Sequence, residues 1–148
     1  MKHFPPPALQ RRECLALGLS VALLPRMASA EVINITQAQL QAMGLRGDGI
    51  AMDVPNVADS SASVPLQVRI ELPAGPALAM VDVYLPENPL TLAIKLRLPE
   101  PQSRFTFSTR LRMAGSQRVW VVATLTDGSR RGTSAHVEVI SSSCFDAS

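Results

Sequence analysis

The chain has 148 residues, 47% apolar and 18% charged, with a formal net charge of +2. That balance suits one globular domain. From residue 31 onward, nine Arg and one Lys face eleven acids, a net charge near −1. This gives no case for nucleic acid as a partner.

The first thirty residues read as an export segment rather than as part of the domain. Lys2, Arg11 and Arg12 make a basic start, residues 15–24 are apolar, and Ala28-Ser29-Ala30 has the pattern of a cleavage site. The apolar stretch is too short to span a membrane and stop there. Arg11-Arg12, followed by Glu13-Cys14-Leu15, resembles a twin-arginine signal. A lipoprotein cysteine needs its apolar stretch before it, and here that stretch follows Cys14. The expectation is cleavage after about Ala30, loss of Cys14 with the signal, and a periplasmic protein without a membrane anchor.

Residues 31–44 carry a weak helical pattern in Ile35, Leu40 and Met43, with Thr36 or Asn34 as cap. The spacing predicts a short helix or an extended arm, broken by Gly44, Gly47 and Gly49. Alternation then takes over. Ile50, Met52 and Val54 come first, followed by a turn-rich loop over residues 59–63. Val64, Leu66, Val68, Ile70 and Leu72 alternate with Gln67, Arg69 and Glu71, which predicts a half-buried strand with a polar outer face. Pro65 suits an edge or a strand beginning. Val81, Val83 and Leu85 form the next strand, closed by Pro86-Glu87-Asn88-Pro89. Leu92, Ile94, Leu96 and Leu98 follow on one face, and Pro99 and Pro101 are expected to stop that run. Phe105, Phe107, Thr109, Leu111 and Met113 alternate next. Val119, Val121, Ala123 and Leu125 share a face opposite Trp120 and Val122. Thr126-Asp127-Gly128-Ser129 supplies an Asp-Gly hairpin signal. Thr133, Ala135, Val137 and Val139 complete the alternating runs. About seven short strands with a turn every ten residues or so predict an all-β, immunoglobulin-like antiparallel sandwich over residues 31–140.

Chemistry-bearing residues are few. Past residue 30 there is a single histidine, His136, expected on the outer face of the last strand as a surface or interface residue. Metal centres gather several His, Cys or carboxylate ligands, and no such set is readable. There is no nucleophile elbow and no Gly-rich phosphate loop, so neither a cofactor site nor an enzyme in its own right is expected. Trp120 and Val122 make their strand apolar on both faces. Such a strand is either central in its sheet or covered by another protein. Residues 141–148 are expected to form a flexible tail around Cys144, the one cysteine left after export. That thiol has no partner within the chain. In an oxidising compartment it tends to be oxidised or to cross-link unless chemically occupied. An incidental cysteine on a frayed end is the alternative.

Several stretches carry a family resemblance. Val64-Pro65-Leu66-Gln67-Val68, Glu87-Asn88-Pro89-Leu90, Ser108-Thr109-Arg110-Leu111-Arg112-Met113-Ala114, Ser116-Gln117-Arg118-Val119 and Thr126-Asp127-Gly128-Ser129 occur in the order seen in SoxY proteins, sulfur carriers of periplasmic thiosulfate oxidation. The resemblance implies an immunoglobulin-like sandwich paired with a SoxZ-like β-protein. It also implies a near-terminal cysteine that carries sulfur covalently to cytochrome, hydrolase and dehydrogenase partners, and by position this is Cys144. The family usually ends in Gly-Gly-Cys-Gly-Gly. Here Ser142 and Ser143 precede Cys144, and Phe145 and Asp146 follow it. Serine lacks the positive-φ freedom of glycine, Phe145 adds bulk, and Asp146 disfavours the thiolate. A SoxY-like scaffold serving another periplasmic redox system, such as a quinoprotein dehydrogenase, is the competing expectation.

Overall fold

The structure, a computed structural model, describes residues 34–140. All of them fall in the unit Glu31–Ser148. They form one helix, α1 (Gln37–Ala42), and eight strands: β1 (Ile50–Asp53), β2 (Val57–Ala58), β3 (Val64–Glu71), β4 (Leu78–Tyr84), β5 (Leu92–Gln102), β6 (Arg104–Leu111), β7 (Gln117–Leu125) and β8 (Arg130–Val139). β1, β3 and β6 make one sheet in that order. β2, β8, β7, β4 and β5 make the other. The apolar faces of the two sheets meet in one core, so the sandwich expected from the alternation is the observed fold.

β3 shows the simplest link from sequence to layer. Val64, Leu66, Val68 and Ile70 are buried while the residues between them are exposed. Pro65 stands beyond the reach of β1, which pairs only with Gln67 to Ile70. Its missing N–H therefore interrupts no ladder on that side. Phe105 and Phe107 of β6 pack against this core with ring centroids 5.9 Å apart. The chain changes sheet between β5 and β6 at Ser103, whose carbonyl accepts the Leu72 N–H at 2.8 Å.

Four features depart from the sequence pattern. A two-residue strand, β2, pairs in parallel with β8, so the sandwich is not wholly antiparallel. Pro99 and Pro101 do not end β5. Its pairing with β4 passes from Arg97 to Gln102, and the prolines occupy the interval on an edge strand, where a missing N–H is tolerated. Leu92 does not share a face with Ile94. The register places Val83 opposite Ile94 and Tyr84 opposite Leu92, which makes Ala93 an extra residue. Ile94, Leu96 and Leu98 pack on the core, while Leu92 packs on the opposite side of the sheet. Finally, β6 ends at Leu111. Met113 stays buried outside the strand, its N–H donated to the Ser61 carbonyl.

Of the short helix and the extended arm expected for the N-terminal segment, the structure shows the helix. Thr36 caps it: its Oγ1 accepts from Gln39 N, and Gln39 Oε1 accepts from Thr36 N. The β7–β8 hairpin is also as expected. Gly128 has φ +81°, and Asp127 Oδ1 accepts from the backbone N–H and hydroxyl of Ser129. These bonds hold the exposed Asp127 carboxyl below its usual range.

Candidate functional site

Cys144 lies outside the described residues, so the structure bears on it through the strand that leads to it. The end of β8 is fixed on two sides. Glu138 N donates to the Asn56 carbonyl and Ile140 N to the Ala58 carbonyl, both at the β2 edge. Val139 N donates to Ser116 Oγ at 2.8 Å, on the turn before β7. Ile140 itself is 69% exposed. Four peptide units separate it from Cys144, which bounds the distance between the two at about 14 Å.

Ser116 belongs to a turn held in place by Asn88. Asn88 Oδ1 accepts from Ala114 N at 2.7 Å and from Gln117 Nε2 at 2.8 Å, and its Nδ2 donates to the Arg112 carbonyl at 2.9 Å. Gln117 is buried, and its Oε1 accepts from Glu87 N. The two stretches singled out as Glu87-Asn88-Pro89-Leu90 and Ser116-Gln117-Arg118-Val119 thus form one polar lock.

His136 is exposed on the outer face of β8, as expected, opposite Arg118 of β7 in the register. Among the described residues no group of three His, Cys, Asp or Glu side chains stands close enough to hold a metal ion.

Trp120 and Val122 are buried, and of the two alternatives the structure shows the first. β7 is central in its sheet, and the outer face of β7 is covered by the chain's own N-terminal segment. Leu40, fully buried, packs with Tyr84, Trp120 and Val122, flanked by Ile35, Leu45 and Leu92. Trp120 Nε1 donates to Gln37 Oε1 at 2.9 Å, and Ile35 N to Thr91 Oγ1 at 3.1 Å. Gly132 makes room for this cover: a Cβ there would stand 2.7 Å from Leu45 Cδ1 and 2.8 Å from the Val121 carbonyl.

The same sheet holds a residue that sequence reasoning missed. Asp82 is only 5% exposed, between Val81 and Val83 of β4. Its Oδ2 accepts from the Tyr84 hydroxyl at 3.4 Å, and its Oδ1 has no hydrogen-bond partner. Burial pushes its carboxyl above the usual value, against the pull of Lys95, Tyr84, Arg130 and Arg97. Burial, and then the neighbouring Asp82, raise Tyr84 likewise. A lone acid inside an otherwise apolar strand was the available signal.

Comparison with known proteins follows the same outline. No curated protein matches the chain. Among solved structures, the sulfur carrier protein SoxY from Chlorobium limicola f thiosulfatophilum superposes with a TM-score of 0.54 at 23% identity, over 62% of this chain and 78% of that one. A superoxide reductase (neelaredoxin) from Ignicoccus hospitalis gives a TM-score of 0.44 at 15% identity, over 70% of this chain and 93% of that one. Fibronectin(III)-like modules of Clostridium thermocellum CbhA give 0.41 at 17% identity, over 61% and 93%. Residues 36–144 match the family described as sulfur oxidation protein SoxY, so this chain belongs to the SoxY family.

Proposed function

We propose that this chain is a periplasmic sulfur carrier of a thiosulfate-oxidising system, holding sulfur intermediates covalently on Cys144 and presenting them to partner enzymes. The observation that carries this reading is the extent of the family match, which takes in residue 144. The export pattern of residues 1–30 supports a periplasmic site of action. The anchored end of β8 supports a fixed root from which Cys144 is presented.

The chemistry needs only a thiolate from this chain. The Cys144 thiolate and the outer sulfur of thiosulfate join in an S–S bond, giving a thiosulfonate. The two electrons released pass to a cytochrome partner. Hydrolysis by a second partner uses one water, releases sulfate and two protons, and leaves a persulfide on Cys144. The chain itself acts as substrate platform, not as enzyme, with a SoxZ-like β-protein as its companion subunit.

Intact-protein mass spectrometry after exposure to thiosulfate and the oxidising cytochrome tests the reading. The expected result is a gain of one thiosulfate on the wild-type chain and none on Cys144→Ser. A gain that survives in Cys144→Ser refutes it. The neighbours of Cys144 favour a second reading, a SoxY-type scaffold without carrier chemistry, since Ser143 and Phe145 stand where the family usually has glycine. That reading predicts unchanged thiosulfate-dependent growth in Cys144→Ser but not in a strain lacking the whole chain.

A further inference from the structure

The turn before β7 and the end of β8 meet where Ser116 Oγ accepts from Val139 N. From that point a groove of about 370 Å³ runs over the outer face of the five-stranded sheet toward α1, lined by Gln37, Glu87, Ser116, Gln117, Arg118 and His136, among others. Arg118 and His136 face each other across adjacent strands, so their side chains leave the sheet about 5 Å apart. Arg118 Nη1 donates to Ser134 Oγ at 3.3 Å. That contact holds the guanidinium on this face with N–H groups left to donate. Gln37 is fixed through its Oε1 by the Trp120 indole, so its amide NH₂ is the remaining donor.

We propose that this groove seats the sulfonate end, –SO₃⁻, of a sulfur oxyanion, with Arg118 and His136 as its principal donors. The group is either borne on Cys144 or free as thiosulfate; the tethered source rests on the carrier reading above. Reach favours the tethered source. His136 lies four residues before Ile140, about 13 Å along an extended strand. Cys144 extends to about 14 Å from the same residue, and the side chains close the rest of the gap.

Another cleft, formed by Gly44, Arg46, Asp48 and residues 129–131, holds three arginines. It lies nine residues up β8 from Val139, about 30 Å away and beyond that reach. Two acids temper the groove: Glu87 on its rim, and Glu138, which shares the outer face of β8 with His136. The seat therefore rests on hydrogen-bond donation from Arg118, His136 and Gln37 rather than on net charge. α1 contributes no charge, its groove residue being Gln37.

The test uses the full chain carrying Cys14→Ser, with backbone and indole signals followed by NMR. In one arm Cys144 is loaded by tetrathionate: the thiolate attacks a central sulfur, the new S–S bond leaves a thiosulfonate, and thiosulfate departs. Intact mass confirms loading. In the second arm Cys144 is capped with iodoacetamide and free thiosulfate is titrated in. The expected result is displacement of the Ser116, Arg118, His136 and Trp120 indole signals. This occurs without added anion in the loaded arm and saturably in the free arm. Arg118→Ala and His136→Gln, with dispersed spectra showing that they fold, lose most of the displacement. Displacement in the free arm alone assigns the seat to free oxyanion. Unmoved groove signals in both arms, displacement at Arg130 and Arg131 instead, or equal displacement by the neutral cap without thiosulfate overturns the seat. Failure of Cys144 to load overturns the carrier reading, while the free arm still judges the groove.

Discussion

Leu40→Ala tests whether the N-terminal segment is a separable cover on the outer sheet face. Leu40 is the one fully buried residue of α1, and it meets Tyr84, Trp120 and Val122. Truncation removes three methyl or methylene groups, at about 0.8 kcal/mol each. The transfer loss alone is therefore about 2.4 kcal/mol, at the low end of the range of about 2–5 kcal/mol for buried Leu to Ala. What remains on α1 is small: one indole-to-amide hydrogen bond, worth about 1 kcal/mol net, and a capped six-residue helix. A loss of 2.4 kcal/mol multiplies the undocked population about sixtyfold. Trp120 is the only tryptophan in the chain, so its fluorescence reports undocking directly. The sandwich core between the sheets is a separate cluster, so its own melting should respond less. Leu40→Ala should shift Trp120 emission to the red and raise its quenching by acrylamide at temperatures where strand circular dichroism is unchanged. An unmoved emission, with the whole loss taken in one global transition, refutes the separable cover.

Two further outcomes follow from the polar interior. Burial raises the Asp82 carboxyl, so the folded chain holds that proton more tightly than the unfolded one. Its contribution to stability is therefore greatest at low pH, falls as pH rises from the ordinary carboxylate value through the raised one, and is level above it. Asp82→Asn should remove that part of the fall when urea unfolding is followed from about pH 3 to about pH 7; a difference between the two chains that does not vary with pH contradicts the assignment. Asn88→Ala takes away three hydrogen bonds and strands the buried Gln117 amide, at about 2–3 kcal/mol in urea unfolding. A loss below about 0.5 kcal/mol would mean that the turn holds without its lock.

The layer structure was legible because alternation survives wherever strand and sheet run in phase, as in β3. It failed at single-residue events. Ala93 adds one residue to β5 without disturbing the written pattern of Leu92, Ile94, Leu96 and Leu98, yet it turns Leu92 away from the core. A bulge is decided by the partner strand, and the partner is not visible in a local window. β2 is too short for a period. Its pairing with β8 is set by the path of residues 54–56 out of the other sheet. His136 was correctly placed on an outer face, but the groove beside it was not legible. Gln37, Glu87 and the Ser116–Arg118 stretch come from three separate parts of the chain, brought together by the Asn88 lock and the Trp120–Gln37 bond. Asp82 is a single acid in the written sequence, and its burial depends on the neighbours of β4 on both sides.

The departures around Cys144 bear unequally on a carrier role. In the sequence Asp146 is two residues from Cys144, and a carboxylate near a thiol disfavours the thiolate. Each unit by which a thiol pKa rises cuts the thiolate population about tenfold at neutral pH. The thiolate that remains is a stronger nucleophile, and with a Brønsted coefficient near 0.5 it recovers about threefold of that loss. The net slowing is about threefold per unit, small against the rate an oxidising partner supplies through orientation. Phe145 differs in kind, because on the carrier reading a phenylalanine next in sequence to Cys144 would meet the wall of a channel built for glycine, and steric exclusion is not recovered by nucleophilicity. On the carrier reading proposed above, Phe145 is therefore the substitution that decides acceptance by a partner, and a partner that accepts it must hold space for an aromatic ring next to the sulfur.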